Sequence, residues 1–581
     1  MHKMVNREKE GNMSKLSRRD FLKGAGVAGA MGAFALGGTS LAFADDAADA
    51  TASAEETTGN PYSQIYGPDA NMLPMRQSEF PGPHGPIAFE DREIGEDEIA
   101  STEETEVLVI GAGIGGIMAS LKAADLGAQV LMLEKMTEGR SSWESFGATQ
   151  CQFQKDQGIE IDDAQLIDEI LRASDWRADP DVVTSYVKHS GEMADFWQAM
   201  FDKGGNGWEI YKFDQAPNYN GFPVIDSYVN FRMPEGISNT WLFGLYVCKE
   251  LLSVGEQYDN LEVRYSTPAV QLVKDGDRVV GAIAKNADGT YMRINASKGV
   301  LLATGGYDAN PDMMKAWVRP EDYEYSSWWN PSWGTTGDGH MMGLKVGADM
   351  DSLPQPVMNF SNATPSTFVE KRVYFPGAMN FGIMVTEEGT RFTNENNPRQ
   401  YAGNAINLKI RQGHQVFTIF DEGMIGDAAK SEAAQGQLER DEAKGHLFRA
   451  GSIAEVAELA GIDAAALEET INEYNALFED KVERDPDYYR YTGNNQPFTG
   501  GTYYAMVTTN VILATVGGLT INENAQVIDT AGQPIPGLYA TGNASGSFYS
   551  GNYPRHIPGT SVGRAATFGY VAADHMVNGG Q

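Results

Sequence analysis

An α/β fold is predicted by three stretches of the sequence. "EVLVIGAGIGGIMASLKAADLGAQVLMLEK" (106–135) reads as strand, glycine turn, helix and strand, with Gly111, Gly113 and Gly116 spaced G-x-G-x-x-G. "VLLATGGYDANPDMM" (300–314) repeats the order strand, glycine pair, helix. Between them, 261–306 alternates as short strands broken by Asp-Gly turns, the pattern of a β-meander. Together they predict a Rossmann-like, dinucleotide-binding domain. The first glycine permits a tight turn, the second lets the backbone approach a pyrophosphate, and the third allows the helix to pack closely on the strand. The helix N-terminus supplies unpaired N–H groups to phosphates, and Glu134, ending the second strand, supplies a carboxylate to ribose hydroxyls.

In chain order, the first element is an address. "KLSRRDFLKGAG" precedes a Gly- and Ala-rich apolar stretch and the small-x-small pattern Ala42-Phe43-Ala44. Ser17, Arg18, Arg19, Asp20, Phe21, Leu22 and Lys23 resemble a twin-arginine signal position by position, which implies export through the Tat translocase and a cofactor loaded before export. Residues 1–44 are thus read as the signal peptide, and 45–103, acidic with a Pro/Gly knot at "FPGPHGP", as a linker and a loop over the globular body. After the meander and the 300–314 unit, 431–475 read as two amphipathic helices. "TINENAQVIDTAGQPIPGLYATGNASGS" reads as a hairpin before a final helix near 563–577.

Composition excludes several functions. The chain has 581 residues with 44 Lys+Arg against 79 Asp+Glu, a formal net charge of −35, so a nucleic-acid partner is not expected. The same field favours encounter with a basic protein. Two distant cysteines, Cys151 and Cys248, make neither a disulfide scaffold nor a haem attachment motif, and eight scattered histidines lack metal-ligand spacing, so no metal is expected.

The first glycine motif, "ATGG" at 303–306, "TGDG" at 336–339 and "IPGLYATGNASG" at 535–546 occur in an order that resembles the flavoprotein subunits of the fumarate reductase and succinate dehydrogenase family. That family also contains urocanate-type acrylate reductases and 3-ketosteroid 1-dehydrogenases. The resemblance spans about residues 104–581. It implies FAD as cofactor, wrapped by these patches, with Gly111, Gly113, Gly116, Glu134, Lys135, Ala269, Gly305, Gly306, Asp338, Ser561 and Val562 as cofactor-binding positions. "GRSSWESFGATQ" (139–150) stands where the family has a Gly/Ser-rich loop against the flavin, which implicates Ser141, Ser142 and Gly147. Where the family usually has a glutamate in the terminal patch, this chain has Asn543, keeping hydrogen bonding and losing a charge.

The resemblance also implies an inserted α+β capping domain at 351–499, between FAD-binding segments at 104–350 and 500–581. In the family, "G-x-R-F-x-N-E" lies in that cap, and the residue eight positions after its arginine reaches the substrate. Here the motif begins at Arg391, and the residue eight on is Arg399. Fumarate reductases carry arginine there as proton donor and ketosteroid dehydrogenases tyrosine, so Arg399 implies the reducing branch. Other positions depart from fumarate reductase. "ATVGGL" puts Ala514 where a substrate-gripping histidine stands, and in "SGNYPRHIPGTSVGR" either Arg555, or His556 by a one-residue shift, takes the place of a carboxylate-binding arginine. Nothing upstream of Gly389 matches the family's Glu-x-x-Arg relay; Glu370, Lys371 and Arg372 are misplaced for it. Tyr553, in "NYP", resembles the tyrosine with which ketosteroid dehydrogenases polarise a ketone. "YEYSSWWNPSW" (323–333) reads either as pocket wall for a flat substrate or as core.

The expectation is an exported FAD-dependent reductase of an α,β-unsaturated small molecule, an aryl or heteroaryl acrylate related to urocanate or fumarate. The alternatives are a 3-ketosteroid-type dehydrogenase or enone reductase, and a non-catalytic FAD-binding protein. With no haem motif of its own, such an enzyme needs a separate electron donor, a c-type cytochrome or a membrane quinol dehydrogenase. It would work in the periplasm or at the outer face of the cytoplasmic membrane.

Overall fold

A computed structural model describes residues 83, 85–141, 145–212, 225–232, 234, 243–328, 334–359, 382–426, 432–554 and 556–579. The signal peptide, the linker up to residue 82, Ser142, Trp329, Trp333, Glu370, Lys371, Arg372 and Arg555 lie outside the described residues.

Strand β1 (Ile99–Ile110), helix α1 (Ile114–Asp125) and strand β2 (Val130–Leu133) form the expected βαβ start, with β1 and β2 parallel and Val107 beside Val130. β1 begins earlier than the linker boundary at 103, and Gly85–Glu98 packs on the body instead of merely passing over it. Ala88 and Ile94 are buried, and the acidic side chains that read as linker find cations: Glu90 pairs with Lys285, Asp91 with Lys345 and Glu96 with Arg293. The long helix α2 (Pro180–Gly204) starts on an Asp179 cap and ends at Gly205, whose φ of 73° suits glycine. β3 (Leu261–Arg264) extends the parallel sheet. β4 (Ala269–Asp275), β5 (Arg278–Lys285) and β6 (Tyr291–Leu302) are the predicted meander, with β6 turning back to run parallel to β1. Helix α3 (Asp338–Lys345) opens on the TGDG motif.

The chain then builds a second unit. β7 (Ile383–Thr386), α4 (Arg399–Arg411), β8 (Val416–Asp421), α5 (Glu432–Ala443), β9 (Leu447–Ala450), α6 (Ile453–Ala460), α7 (Ala464–Glu479) and β10 (Tyr503–Val507) follow in order. Their strands form an antiparallel sheet β7-β8-β10-β9 with a hydrophobic cluster of its own, including Ile383, Phe417, Ile419, Leu467 and Ile471. β10 lies in this sheet although the predicted boundary fell at 499. Its partner β8, with Phe417 opposite Val507, is far away along the chain. The two helices expected in 431–475 are three. Gly461 ends α6 in a left-handed conformation (φ 73°), and Asp463 caps α7 by accepting from Ala465 and Ala466 N–H, which separates these two helices within three residues.

The return segment closes the first sheet. β11 (Val511–Thr515) pairs with Val357–Asn359 and Ser327–Trp328. β12 (Gln526–Ile528) and β13 (Pro534–Ala540) form the predicted hairpin, and β13 adds beside β6 to give the order β12-β13-β6-β1-β2-β3. The final helix α8 (Thr560–Asp574) packs on α1, where Gly569 meets Gly115: a Cβ on Gly569 would lie 3.0 Å from the Gly115 carbonyl carbon. The central strands are buried on both faces, as in sheets covered by helices. Of the 323–333 aromatics, Tyr323 packs against the core cluster of Tyr307, Met313 and Trp317, so it reads as core.

Candidate active site

β1 delivers its last residue, Ile110, to a turn that only glycine makes easily. Gly111 has φ 108°, and a Cβ there would lie 2.8 Å from the Ala303 carbonyl carbon. Gly113 caps α1. A Cβ on Gly116 would meet the Gly111 carbonyl and lie 3.1 Å from the Ala303 methyl, so this glycine sets how closely helix meets strand. Gly116→Val is therefore expected to lower the yield of flavin-loaded protein, measured as the ratio of flavin to protein absorbance after purification. From the end of β2, Glu134 braces the same loop: Ala112 N–H donates to Oε2 at 2.8 Å and Met136 N–H to Oε1 at 2.8 Å. Burial pushes the Glu134 carboxyl above its ordinary range despite those donors.

These elements open onto a cavity of about 450 Å³. Gly111, Gly113, Glu134, Lys135, Ser141, Ala269, Gly305, Asp338, Asn543, Ser561 and Val562 line it, drawing together patches from both ends of the chain. Three of the expected cofactor positions stand behind the wall. Gly116 packs helix on strand. Gly306 backs onto Thr515, whose hydroxyl accepts from Tyr307 N–H at 3.0 Å. Gly147 donates its N–H to Gly559 O at 2.8 Å and accepts from the Tyr186 hydroxyl at 2.9 Å. The cavity also holds Thr304 and Thr335, whose buried hydroxyls have no hydrogen-bond partner among the described residues. A long, glycine-edged cavity with a helix N-terminus and orphaned hydroxyls fits a dinucleotide such as FAD.

Lys135 and Asp338 turn their polar atoms on each other. Lys135 Nζ lies 2.6 Å from Asp338 Oδ2 and also donates to the Thr336 hydroxyl at 2.8 Å. At the opposite wall, β13 runs into Gly542 and Asn543. Arg564 NH2 donates to Gly542 O at 2.9 Å and to Asn543 Oδ1 at 3.2 Å, and NH1 to Ser545 O at 3.2 Å. Asn543 thus supplies a neutral acceptor to a fully buried guanidinium, whose pKa burial pulls below its ordinary value. Arg564 lies over the Tyr549 ring at 4.7 Å, and Tyr549 packs on Tyr553 at 5.3 Å with the rings tilted by 59°, contacts that connect the "NYP" stretch to Arg564 behind Asn543.

The "G-x-R-F-x-N-E" motif makes a buried ion network in the second unit. Arg391 Nε and NH2 donate to Glu395 Oε1 and Oε2 at 2.9 and 2.8 Å, and Arg490 NH1 donates to Glu395 Oε2 at 3.1 Å. Asp485 accepts from Arg391 NH1 at 2.5 Å, and the Tyr488 hydroxyl donates to Arg391 O at 2.6 Å. The network pins the turn that leads through Pro398 into α4, so Arg399 is the first residue of a helix with a fixed start. Two residues on, Tyr401 is hydrogen-bonded to Asn552, which brings the first turn of α4 beside Asn552–Tyr553. His556 instead turns to helix Asp163–Ala173: its Nε2 lies 3.5 Å from Glu169 Oε2, and burial lowers the imidazole to about 4, leaving it neutral at neutral pH. Neither His556 nor Tyr553 lines the cavity.

Residues 106–561 match the FAD binding domain family. A urocanate reductase of Eggerthella lenta is 31% identical over 478 residues, covering 81% of this chain and 74% of that protein. The chain belongs to the FAD-dependent fumarate reductase and succinate dehydrogenase flavoprotein family. A vinyl phenol reductase of Lactiplantibacillus plantarum is 27% identical, over 82% of this chain and 97% of its own. The open conformation of a flavocytochrome c3 fumarate reductase superposes with a TM-score of 0.62 at 24% identity, covering 84% of this chain and 82% of that one. Residues 15–35 match the twin-arginine translocation signal. The protein is therefore an FAD-dependent oxidoreductase acting on carbon–carbon double bonds, with a signal for twin-arginine export. No helix among the described residues is long and apolar enough to cross a membrane.

Within this flavoprotein, the glycine-led motifs announced most of the cavity wall. Thr304 and Thr335 were within reach too, since they sit inside "ATGG" and just ahead of "TGDG". Ala88 also lines the cavity, and nothing in its local sequence signals that role. Ala514, which the resemblance set against a substrate-gripping histidine, is a buried strand residue opposite Met358.

Proposed function

We propose that this flavoprotein reduces the double bond of an exported α,β-unsaturated small molecule, an aryl or heteroaryl acrylate, with Arg399 as proton donor. FAD held in the cavity and reduced by an electron donor would supply a hydride to the β-carbon. Negative charge then builds on the α-carbon and its carbonyl or carboxylate oxygens. A guanidinium beside them stabilises that charge and gives up a proton to the α-carbon, a much stronger base than guanidine. The observation that carries this reading is the first turn of α4: Arg399 opens it, the Arg391–Glu395 network holds its approach, and Tyr401 bonds to Asn552 of the FAD body. On this reading the unit from 382 to about 507 is a cap that excludes water during the reaction. The cofactor is held by Gly111, Gly113, Glu134, Ser141, Ala269, Gly305, Asn543, Ser561 and Val562, all in the cavity wall.

The aromatic substrate class is supported by relatives named for reducing urocanate and vinyl phenol, and by Ala514 and the neutral His556, which leave a dicarboxylate without a full clamp. Electrons come from a separate c-type cytochrome or membrane quinol dehydrogenase, in the periplasm or at the outer face of the cytoplasmic membrane. The deciding experiment reduces the flavin anaerobically and screens fumarate, urocanate, cinnamates and unsaturated ketones for its reoxidation. Fast reoxidation by urocanate or cinnamates is the expected result; fumarate alone, or none of them, would sink the reading. The buried Tyr553–Tyr549 pair beside α4 favours the enone alternative, which predicts that unsaturated ketones reoxidise the flavin fastest.

A further inference from the structure

The segment Gly85–Ile94 precedes the family-matched region, which begins at residue 106, yet it contributes a wall residue, Ala88, to the flavin cavity. Asp338 Oδ1 accepts from the N–H groups of Ala88 and Phe89 at 2.8 and 3.0 Å. Pro86 O accepts from Lys135 Nζ at 3.1 Å and from the Thr336 hydroxyl at 3.2 Å. A Cβ on Gly85 would lie 3.0 Å from Gly334 Cα, so the backbones nearly touch. Past the cavity, Phe89 packs against the main core and the Tyr307–Trp317 cluster, Glu90 N–H donates to Val270 O at 3.1 Å, and Ile94 is buried against Val270, Ile283 and Tyr291.

We propose that residues 85–94 form a strap that closes the flavin cavity at its Glu134 end, and that Lys135 and Asp338 are positioning residues for this strap. Their ion pair is almost buried, with side chains 14% and 5% exposed, and the polar contacts that reach the segment spread from it. The strap leads through Gly95 and the turn Glu96–Glu98 into β1; four hydrogen bonds with Asp338, Lys135 and Thr336 hold its cavity end, and Phe89, the Glu90 N–H bond to Val270 O and the Glu90–Lys285 and Asp91–Lys345 pairs hold the rest. Lifting it about Ile94 would break these contacts and uncover the cavity while leaving the strand pairing of the sheet in place. A molecule filling the cavity is then retained for as long as the strap stays down, and its presence favours the closed state by the same linkage. The idea rests on FAD occupancy alone and stands apart from the proposed substrate and from Arg399.

The test uses the flavin-loaded protein. Phe89 and Ile94 hold the strap without lining the cavity, and Phe89→Ser with Ile94→Ser is expected to speed FAD release on dilution, read as recovery of free-flavin fluorescence, by roughly tenfold or more. Arg92 is the one trypsin site in 85–98. In the unaltered protein, cleavage after Arg92 is expected to slow as free FAD is added, because opening and release are coupled. Release at the unaltered rate from a folded double variant would overturn the proposal. So would cleavage after Arg92 that ignores added FAD, a readout that needs no variant to fold.

Discussion

Replacing Arg399 by alanine is expected to leave the protein folded, its flavin bound and reducible by dithionite, and its turnover of the double bond lowered by about 10²–10⁴-fold. The first half follows from position. Arg399 is the first residue of α4, on a different element from the glycine turns, Glu134 and Asn543 that hold the cofactor on this reading. The second half follows from chemistry. Hydride addition leaves a carbanion whose charge must be neutralised in a closed site, and a guanidinium is both the nearest positive charge on this reading and the acid. Arg399→Lys keeps the charge and loses the planar fork, so it should recover only part of the rate. Stopped-flow reoxidation of the reduced flavin by the substrate found in the screen measures the effect directly. Near-normal reoxidation in Arg399→Ala would remove the residue from the mechanism.

How much of this could be read from the sequence depended on how local the physics was. Gly111, Gly113 and Glu134 were legible because a tight turn, a phosphate and a brace for the same loop demand those residue types within one βαβ unit. Lys135 was legible as a position and not as a partner: its carboxylate, Asp338, is 203 residues further on. The same holds for His556, whose neighbour Glu169 stands far back along the chain. β10 was assigned to the wrong side of a boundary because strand pairing between Phe417 and Val507 is a long-range event with no local mark. Ala88 is the extreme case. An alanine matters there only because Asp338 catches the backbone around it.

Glu395→Ala is expected to be the most damaging substitution to stability, at about 3–5 kcal/mol, because it strips two buried guanidiniums of their shared carboxylate. Every acceptor site on Glu395 is used: Oε1 takes Met384 N–H at 3.0 Å and Arg391 Nε, and Oε2 takes Arg391 NH2 and Arg490 NH1. Arg490 also donates to Gly382 O at 3.1 Å, so the network ties the entry to β7 to the turn before α4. Arg391 would keep Asp485, and Arg490 would keep the neutral acceptors Gly382 O and Asn495 Oδ1. Glu395→Gln keeps the shape but puts an amide N–H₂ against a guanidinium, so it should be less costly than alanine and still severe. The same carboxylate gives the unit a signature in acid. Burial raises the Glu395 pKa, and the charges of Arg391 and Arg490 outweigh that and hold it below its ordinary value. A group depressed in this way contributes stability that is present above its unfolded pKa and is lost as pH falls through the folded one. Thermal melts of the unaltered protein should therefore decline steeply as pH drops below the ordinary glutamate range. The Glu395→Gln variant, already lacking that contribution, should start lower and decline less. Parallel acid limbs for the two proteins would show that the carboxylate is not ionised in the folded unit. That result would detach the network from the placement of α4, and with it one support for the proposal that Arg399 is the proton donor.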